Sequence, residues 1–296
     1  MDLTGYELQT LRDDGEFALH RARQRDNPVP VLTLVAGRQT LIKRLEHEYA
    51  LADDLDSNWA ARPLALLRNG GSATLVLEDK GGEPLDRLLD QRLEPIRFLR
   101  LAINIAAVVG QVHRRGLIHK DIKPANMLVD TDGNVRLTGF GIASRLPRER
   151  QAPAPPEGIA GTLAYIAPEQ TGRMNRSIDA RSDLYSLGIT LYEMLTGVLP
   201  FTASDPMEWI HCHIARLPIS PADRSTAVTA QLSSIVMKLL AKNAEDRYQT
   251  ASGLEADLQR CLKAWEARRF IDTFSLGAHD GSDRLLIPEK LWPGYR

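Results

Sequence analysis

The chain has 296 residues, 37 basic and 38 acidic side chains and a formal net charge of -1. Charges of both signs are interspersed, which leaves no electrostatic footprint for nucleic acid or an anionic membrane surface. The length allows one large core or two modest lobes.

The first third alternates short β-like runs with turns. Phe17 to Ala22 and Val29 to Val35 read as strands, as do Leu64 to Leu67 and Ala73 to Glu78, the last two joined by the hairpin signal Asn69-Gly70-Gly71. Between them Leu41, Leu45, Tyr49, Ala52 and Leu55 recur at helical spacing. A long helix is expected from Pro95 to Arg115, with Ile96, Leu99, Ile103, Ala106 and Val109 as its apolar stripe. The longest apolar segment, Leu101 to Val109, is interrupted by Asn104 and is far shorter than the roughly 20 residues that span a bilayer. The start, Met1-Asp2-Leu3-Thr4, lacks the pattern of a signal peptide, so no membrane insertion is expected. The cysteines, Cys212 and Cys261, imply no disulfide framework and fit a reducing cytoplasm.

Beyond the long helix, residues 119 to 126 read His-Lys-Asp-Ile-Lys-Pro-Ala-Asn. In a phosphoryl-transfer site this order supplies a base, Asp121, a phosphate-binding Lys123 and a metal-binding amide, Asn126. Gly139-Phe140-Gly141 follows at the distance where that chemistry needs Asp-Phe-Gly. Pro147 to Glu157 holds four prolines and a charge cluster and reads as a mobile stretch. Then come Gly161-Thr162-Leu163-Ala164-Tyr165-Ile166-Ala167-Pro168-Glu169 and Ser182-Asp183-Leu184-Tyr185-Ser186-Leu187-Gly188, and the chain is mainly helical to about Trp265. His211-Cys212-His213 is read as helix packing around Trp209, Ile210 and Ile214, because adjacent helical residues diverge and no second ligand pair lies at metal spacing.

In order and spacing these motifs resemble the eukaryotic-type serine/threonine protein kinases over roughly residues 5 to 265. The segments Gly172 to Ser177, Asp205 to Glu208 and Leu239 to Tyr248 resemble, more narrowly, the N-terminal kinase-like domain of large bacterial signalling proteins that also carry an ATPase and a sensor histidine kinase. The resemblance implies an α+β, bilobal fold: a β-rich N-lobe with one main helix over residues 5–80, a mostly helical C-lobe over 81–265, and a linker or tail over 266–296. It places the interlobe hinge at Lys80 to Pro84, the gatekeeper at Leu77, and the nucleotide against Leu11, Gly15, Leu77, Glu78, Lys80 and Leu128, with Asn126 on magnesium. Glu169 should pair with Arg247, Asp183 should hold the catalytic-loop backbone, and Thr162 should sit near the substrate hydroxyl.

Against that pattern three contacts to the triphosphate are missing. Laid without gaps, Arg12, Asp14 and Phe17 stand where the loop glycines should be, in an acidic stretch that reads as an ordinary tight turn. The strand that should carry a lysine reads Val31-Leu32-Thr33-Leu34, with Thr33 taken as the lysine position, and Lys43 is the first lysine of the chain. Gly139 offers no carboxylate to a metal. Glu48, deprived of its lysine, is expected to be solvated or paired with an arginine such as Arg23 or Arg38, and a substitute arginine in the pocket is a further reading. Between Gly139 and Glu169 only Ser144, Thr162 and Tyr165 carry hydroxyls, and Lys120 stands before Asp121 in place of arginine, so control by binding is favoured over loop phosphorylation. Two readings follow. The favoured one is a cytoplasmic pseudokinase that binds a protein partner or downstream signalling domains, either with no cofactor or with a nucleotide held without catalysis in an adenine slot of Leu11, Leu77 and Leu128. The alternative is an active serine/threonine kinase using ATP and magnesium with atypical ligands.

Overall fold

The computed structural model describes residues 5–24, 27–89, 93–145, 163–174 and 176–281. Strands β1 (Tyr6–Asp13), β2 (Ala18–Gln24), β3 (Asn27–Ala36), β4 (Pro63–Asn69) and β5 (Ser72–Glu78) form an antiparallel sheet in the order β1-β2-β3-β5-β4. β1 had no strand signal in the sequence because it is an edge whose residues before Leu11 are largely exposed. The β4–β5 turn places Gly70 and Gly71 at φ of 51° and 96°, the paired positive angles of a tight hairpin.

Helix α1 (Gln39–Ala50) packs on one face of this sheet through Leu41, Ile42 and Leu45, with Leu11, Leu19, Leu32, Leu34, Leu75 and Leu77 opposite. It ends five residues before Leu55. The Leu51 N–H tightens onto the Glu48 carbonyl at 3.1 Å, and Leu51 and Leu55 reach the C-lobe core from the turns that follow.

The second lobe is built on α2 (Pro95–Arg114), which opens on a proline at its first turn. By length and composition this helix passes for a membrane span, but Phe98, Leu99, Ala102, Ile105, Ala106 and Val109 are buried in the lobe's core. β6 (Glu83–Pro84), β7 (Met127–Val129) and β8 (Val135–Leu137) form a small sheet beneath the hinge. The helices α3 (Ala180–Thr196), α4 (Pro206–Ile214), α5 (Pro221–Arg224), α6 (Ala230–Leu239) and α7 (Ala251–Arg268) complete the lobe. Asp179, Asp205, Ser220, Thr229 and Thr250 cap their N-termini through side-chain oxygens. The result is the bilobal α+β architecture expected.

Part of the segment read as linker is packed. Ile271 is buried, Gln231 and Phe274 exchange side-chain-to-backbone hydrogen bonds at 3.1 and 3.2 Å, and Asp280 accepts the Gln249 and Thr250 amides at 2.6 and 2.9 Å. The proline-rich stretch Pro147 to Glu157, Gly161, Thr162, Asn175 and residues 282–296 lie outside the described residues.

Candidate active site

The catalytic-loop residues converge between the lobes. Asp183, on the first turn of α3, accepts the backbone N–H groups of His119 and Lys120 at 2.9 and 2.8 Å and the His113 ring at 2.9 Å. Burial pushes its carboxyl up, but the His113 hydrogen bond and the nearby histidine charges outweigh burial and hold it below the ordinary range. His119 is buried against Phe140, 4.5 Å between ring centroids, and burial lowers its pKa. These anchors place Lys123 Nζ 3.1 Å from Asp121 Oδ2.

Asn126 is fully engaged. Its Nδ2 donates to the Asp121 carbonyl and to Asp121 Oδ2, both at 2.8 Å, while its Oδ1 accepts from Arg12 Nη1 at 2.5 Å. The same Nη1 donates to the Ala125 carbonyl at 2.8 Å. A magnesium ion would need that amide oxygen, which here already accepts from a guanidinium.

The substitutions at the glycine positions have a local logic. Asp13 accepts the Gly15 amide at 3.0 Å, and Asp14 accepts the Glu16 and Phe17 amides at 3.0 and 2.8 Å, with Gly15 at φ 79°. Amides that a glycine-rich loop would present to phosphates are held by the turn's own carboxylates, which supports the reading as a self-contained tight turn.

Two expectations are corrected. Side chains alternate along a strand. Leu32 and Leu34 face the core beneath the sheet, whereas Val31 packs with Ala22 and Val76 on the other side. Thr33 therefore faces away, and the β3 residue lining the cleft beside Glu48 is Leu34. Glu48 is neither solvated nor paired with Arg23 or Arg38: it is 1% exposed and accepts the Gly139 amide at 3.2 Å, together with that of Phe140. Burial pushes its carboxyl up to about 7, against the opposing pull of those amides and of Arg12.

A cavity of about 30 Å³ among the described residues is lined by Leu34, Glu48, Asp121, Lys123, Asn126 and Gly139 among others. That is room on the order of a water molecule. Leu11, Leu77 and Leu128, expected against the adenine, are each at most 1% exposed and belong to one apolar cluster. Gly15 is exposed at the turn tip; Glu78 accepts from Ser57, and its N–H donates to the Arg62 carbonyl. Lys80 lies 3.9 Å from Glu78, and its carbonyl accepts from Arg136 at 3.0 Å. The residues present do not fit a magnesium nucleotide: β3 brings no cation and position 139 no carboxylate to the phosphate region, the Arg12 guanidinium is engaged by the catalytic loop, and the adenine residues Leu11, Leu77 and Leu128 are packed.

Arg21, on β2, carried no recognisable signal in the sequence. Its guanidinium is 2.5 Å from Asp79 Oδ2, 2.6 Å from the Gly82 carbonyl and 3.1 Å from Glu83 Oε1, clamping the sheet to the hinge. Farther away, Arg247 grips Glu169 through two bonds of 2.8 and 3.0 Å, as the resemblance implied. His213 packs against Trp209 and accepts from or donates to Tyr185 Oη at 3.1 Å, and the described residues hold no cluster suited to a metal.

Sequence comparison identifies the family of this fold. The profile of the family described as protein kinase domain matches residues 31–258. The serine/threonine-protein kinase PknB of Mycolicibacterium smegmatis is 36% identical over 194 residues, 65% of this chain and 31% of that protein. PknB of Mycobacterium tuberculosis is 39% identical over 168 residues, 57% of this chain and 26% of that protein. A probable serine/threonine-protein kinase of Clostridium perfringens is 34% identical over 266 residues, 87% of this chain and 38% of that protein. The matches thus span from 26% to 38% of these relatives' own lengths. With the profile covering both lobes, the chain belongs to the protein kinase domain family.

Proposed function

We propose that this kinase-fold domain is a cytoplasmic regulatory module that signals by binding, without transferring phosphate. The observation that carries the reading is the cleft wall facing the catalytic loop. It presents Leu34 and Gly139 where a triphosphate needs a cation and a metal-binding carboxylate, and its buried acid, Glu48, caps the amides of Gly139 and Phe140. The C-lobe scaffold keeps its buried ties, Glu169 to Arg247 and Asp183 to the catalytic loop. A protein partner or downstream signalling domains of a larger bacterial protein are the proposed recipients of the signal.

The second reading, an active serine/threonine kinase using ATP and magnesium, is favoured by one observation: Asp121 and Lys123 remain together at 3.1 Å with Asn126 beside them. Transfer of labelled γ-phosphate from ATP to general protein substrates, with magnesium and with manganese, separates the two. Wild type should match Asp121→Asn at background. Transfer by wild type that Asp121→Asn abolishes would overturn the regulatory reading.

A further inference from the structure

We propose that the catalytic loop carries a guanidinium-binding site, formed by Asn126 Oδ1 and the Ala125 carbonyl, and that Arg12 fills it in cis as a latch holding the lobes together without nucleotide. The inference rests on the non-catalytic reading of the same cleft and adds to it what holds the cleft shut.

The backbone delivers Arg12 to this position. Strand β1 pairs with β2 in one register through Thr10 and His20 and in another from Arg12 and Leu19 onward, so the strand is bulged around Leu11. A bulge bends a strand and re-aims its side chains. Leu11, 1% exposed, enters the apolar cluster, and its neighbour Arg12, whose side chain is 8% exposed, also turns inward to the catalytic loop. In a regular strand adjacent side chains point to opposite faces.

The receiving side is built from acceptors. Asn126 is oriented by its two Nδ2 bonds to Asp121, which leaves Oδ1 turned to Nη1. Two buried polar atoms in the same cleft, Arg12 Nε and Asp121 Oδ1, have no hydrogen-bond partner among the described residues. The donor set of a guanidinium and the acceptor set of the loop are thus matched in kind but incompletely joined, which suits a contact that can be made and released. Asp14, 3.7 Å from Nε, adds negative charge beside the cation. Arg87 reinforces the closure from the other lobe, donating to the Thr10 carbonyl at 2.9 Å.

The test is hydrogen exchange of the turn amides 14–19 in the full 296-residue chain, comparing wild type, Arg12→Gly, Asn126→Ala and the double variant. Each single variant should speed exchange there by about tenfold or more, the scale of losing a hydrogen bond to a charged group, and the double variant should add nothing further. Amides of β4 and β5 serve as the internal control for folding. Free ethylguanidinium should restore slow exchange to Arg12→Gly, leave wild type unchanged and fail on the double variant. Unchanged exchange in Arg12→Gly, additive effects in the double variant, or no response of Arg12→Gly to ethylguanidinium would each overturn the latch. Phosphate transfer by wild type would instead strike at the regulatory reading while these exchange outcomes still decide the latch.

Discussion

A Cβ built on Gly139 lies 2.8 Å from Asn126 Nδ2 and 2.9 Å from its Oδ1, so the glycine of the altered Asp-Phe-Gly motif and the amide of the catalytic loop share one space. Gly139 is also at φ 83°, a conformation that favours glycine. Gly139→Asp must therefore push the amide aside and strain the backbone. The expected outcome is no gain of phosphate transfer and a loss of about 1–3 kcal/mol in stability, read from a urea unfolding midpoint. Transfer rising to the level of an active kinase would contradict the account of this cleft.

Glu48 predicts a pH dependence whose sign can be worked out. Its folded value of about 7 lies above its ordinary 4.5, so between those values the folded chain holds a proton that the unfolded chain releases. Stability from this group falls as pH rises from about 4.5 to about 7 and is flat above. Glu48→Gln keeps an oxygen for the Gly139 amide and removes the titration, so it should be more stable than wild type at pH 8 by on the order of 3 kcal/mol, and similar at pH 4. Thermal unfolding across that range is the check. His213, pushed down to about 3 by burial, acts in the opposite sense: its contribution is lost as pH falls below about 6.5, and that slope should remain in the variant.

The ion pair of Glu169 and Arg247 is buried at 3% and 0% side-chain exposure, with Ser182 Oγ donating to Glu169 at 2.7 Å and Tyr185 under the guanidinium at 4.8 Å. Removing one partner strands a charge in the core. Glu169→Ala is expected to cost about 3–5 kcal/mol in denaturant unfolding, and Glu169→Ala with Arg247→Met less than the single change.

Asp280 tests whether the segment after α7 belongs to the lobe. Its carboxylate accepts the Gln249 and Thr250 amides and the Thr250 hydroxyl at the start of that helix. Asp280→Ala should lower stability by about 1 kcal/mol, the scale of a lost helix cap, and speed proteolysis between Phe270 and Gly281. Unchanged stability and cleavage would mean that the segment is not docked in solution.

The catalytic-loop octet, the helical spacing of α2, the Gly70-Gly71 hairpin and the pairing of Glu169 with Arg247 were legible in the chain, because short-range geometry and motif spacing dictate them. Sequence alone also established that β3 carries no cation and position 139 no carboxylate. It did not settle which β3 residue faces the cleft, because that depends on the facing of a strand whose inner and outer sides are both apolar, and Thr33 gave way to Leu34 only through sheet packing. Nor did it find Arg12 on Asn126, Arg21 on the hinge or Glu48 on the amides of 139 and 140. Those contacts join residues 58 to 114 positions apart, and a bulge and the closure of two lobes bring them together. The sequence by itself determined the fold and the absence of the usual ligands; the tertiary structure decided what replaced them, since a buried charge or amide takes whichever partner packing delivers within hydrogen-bond reach.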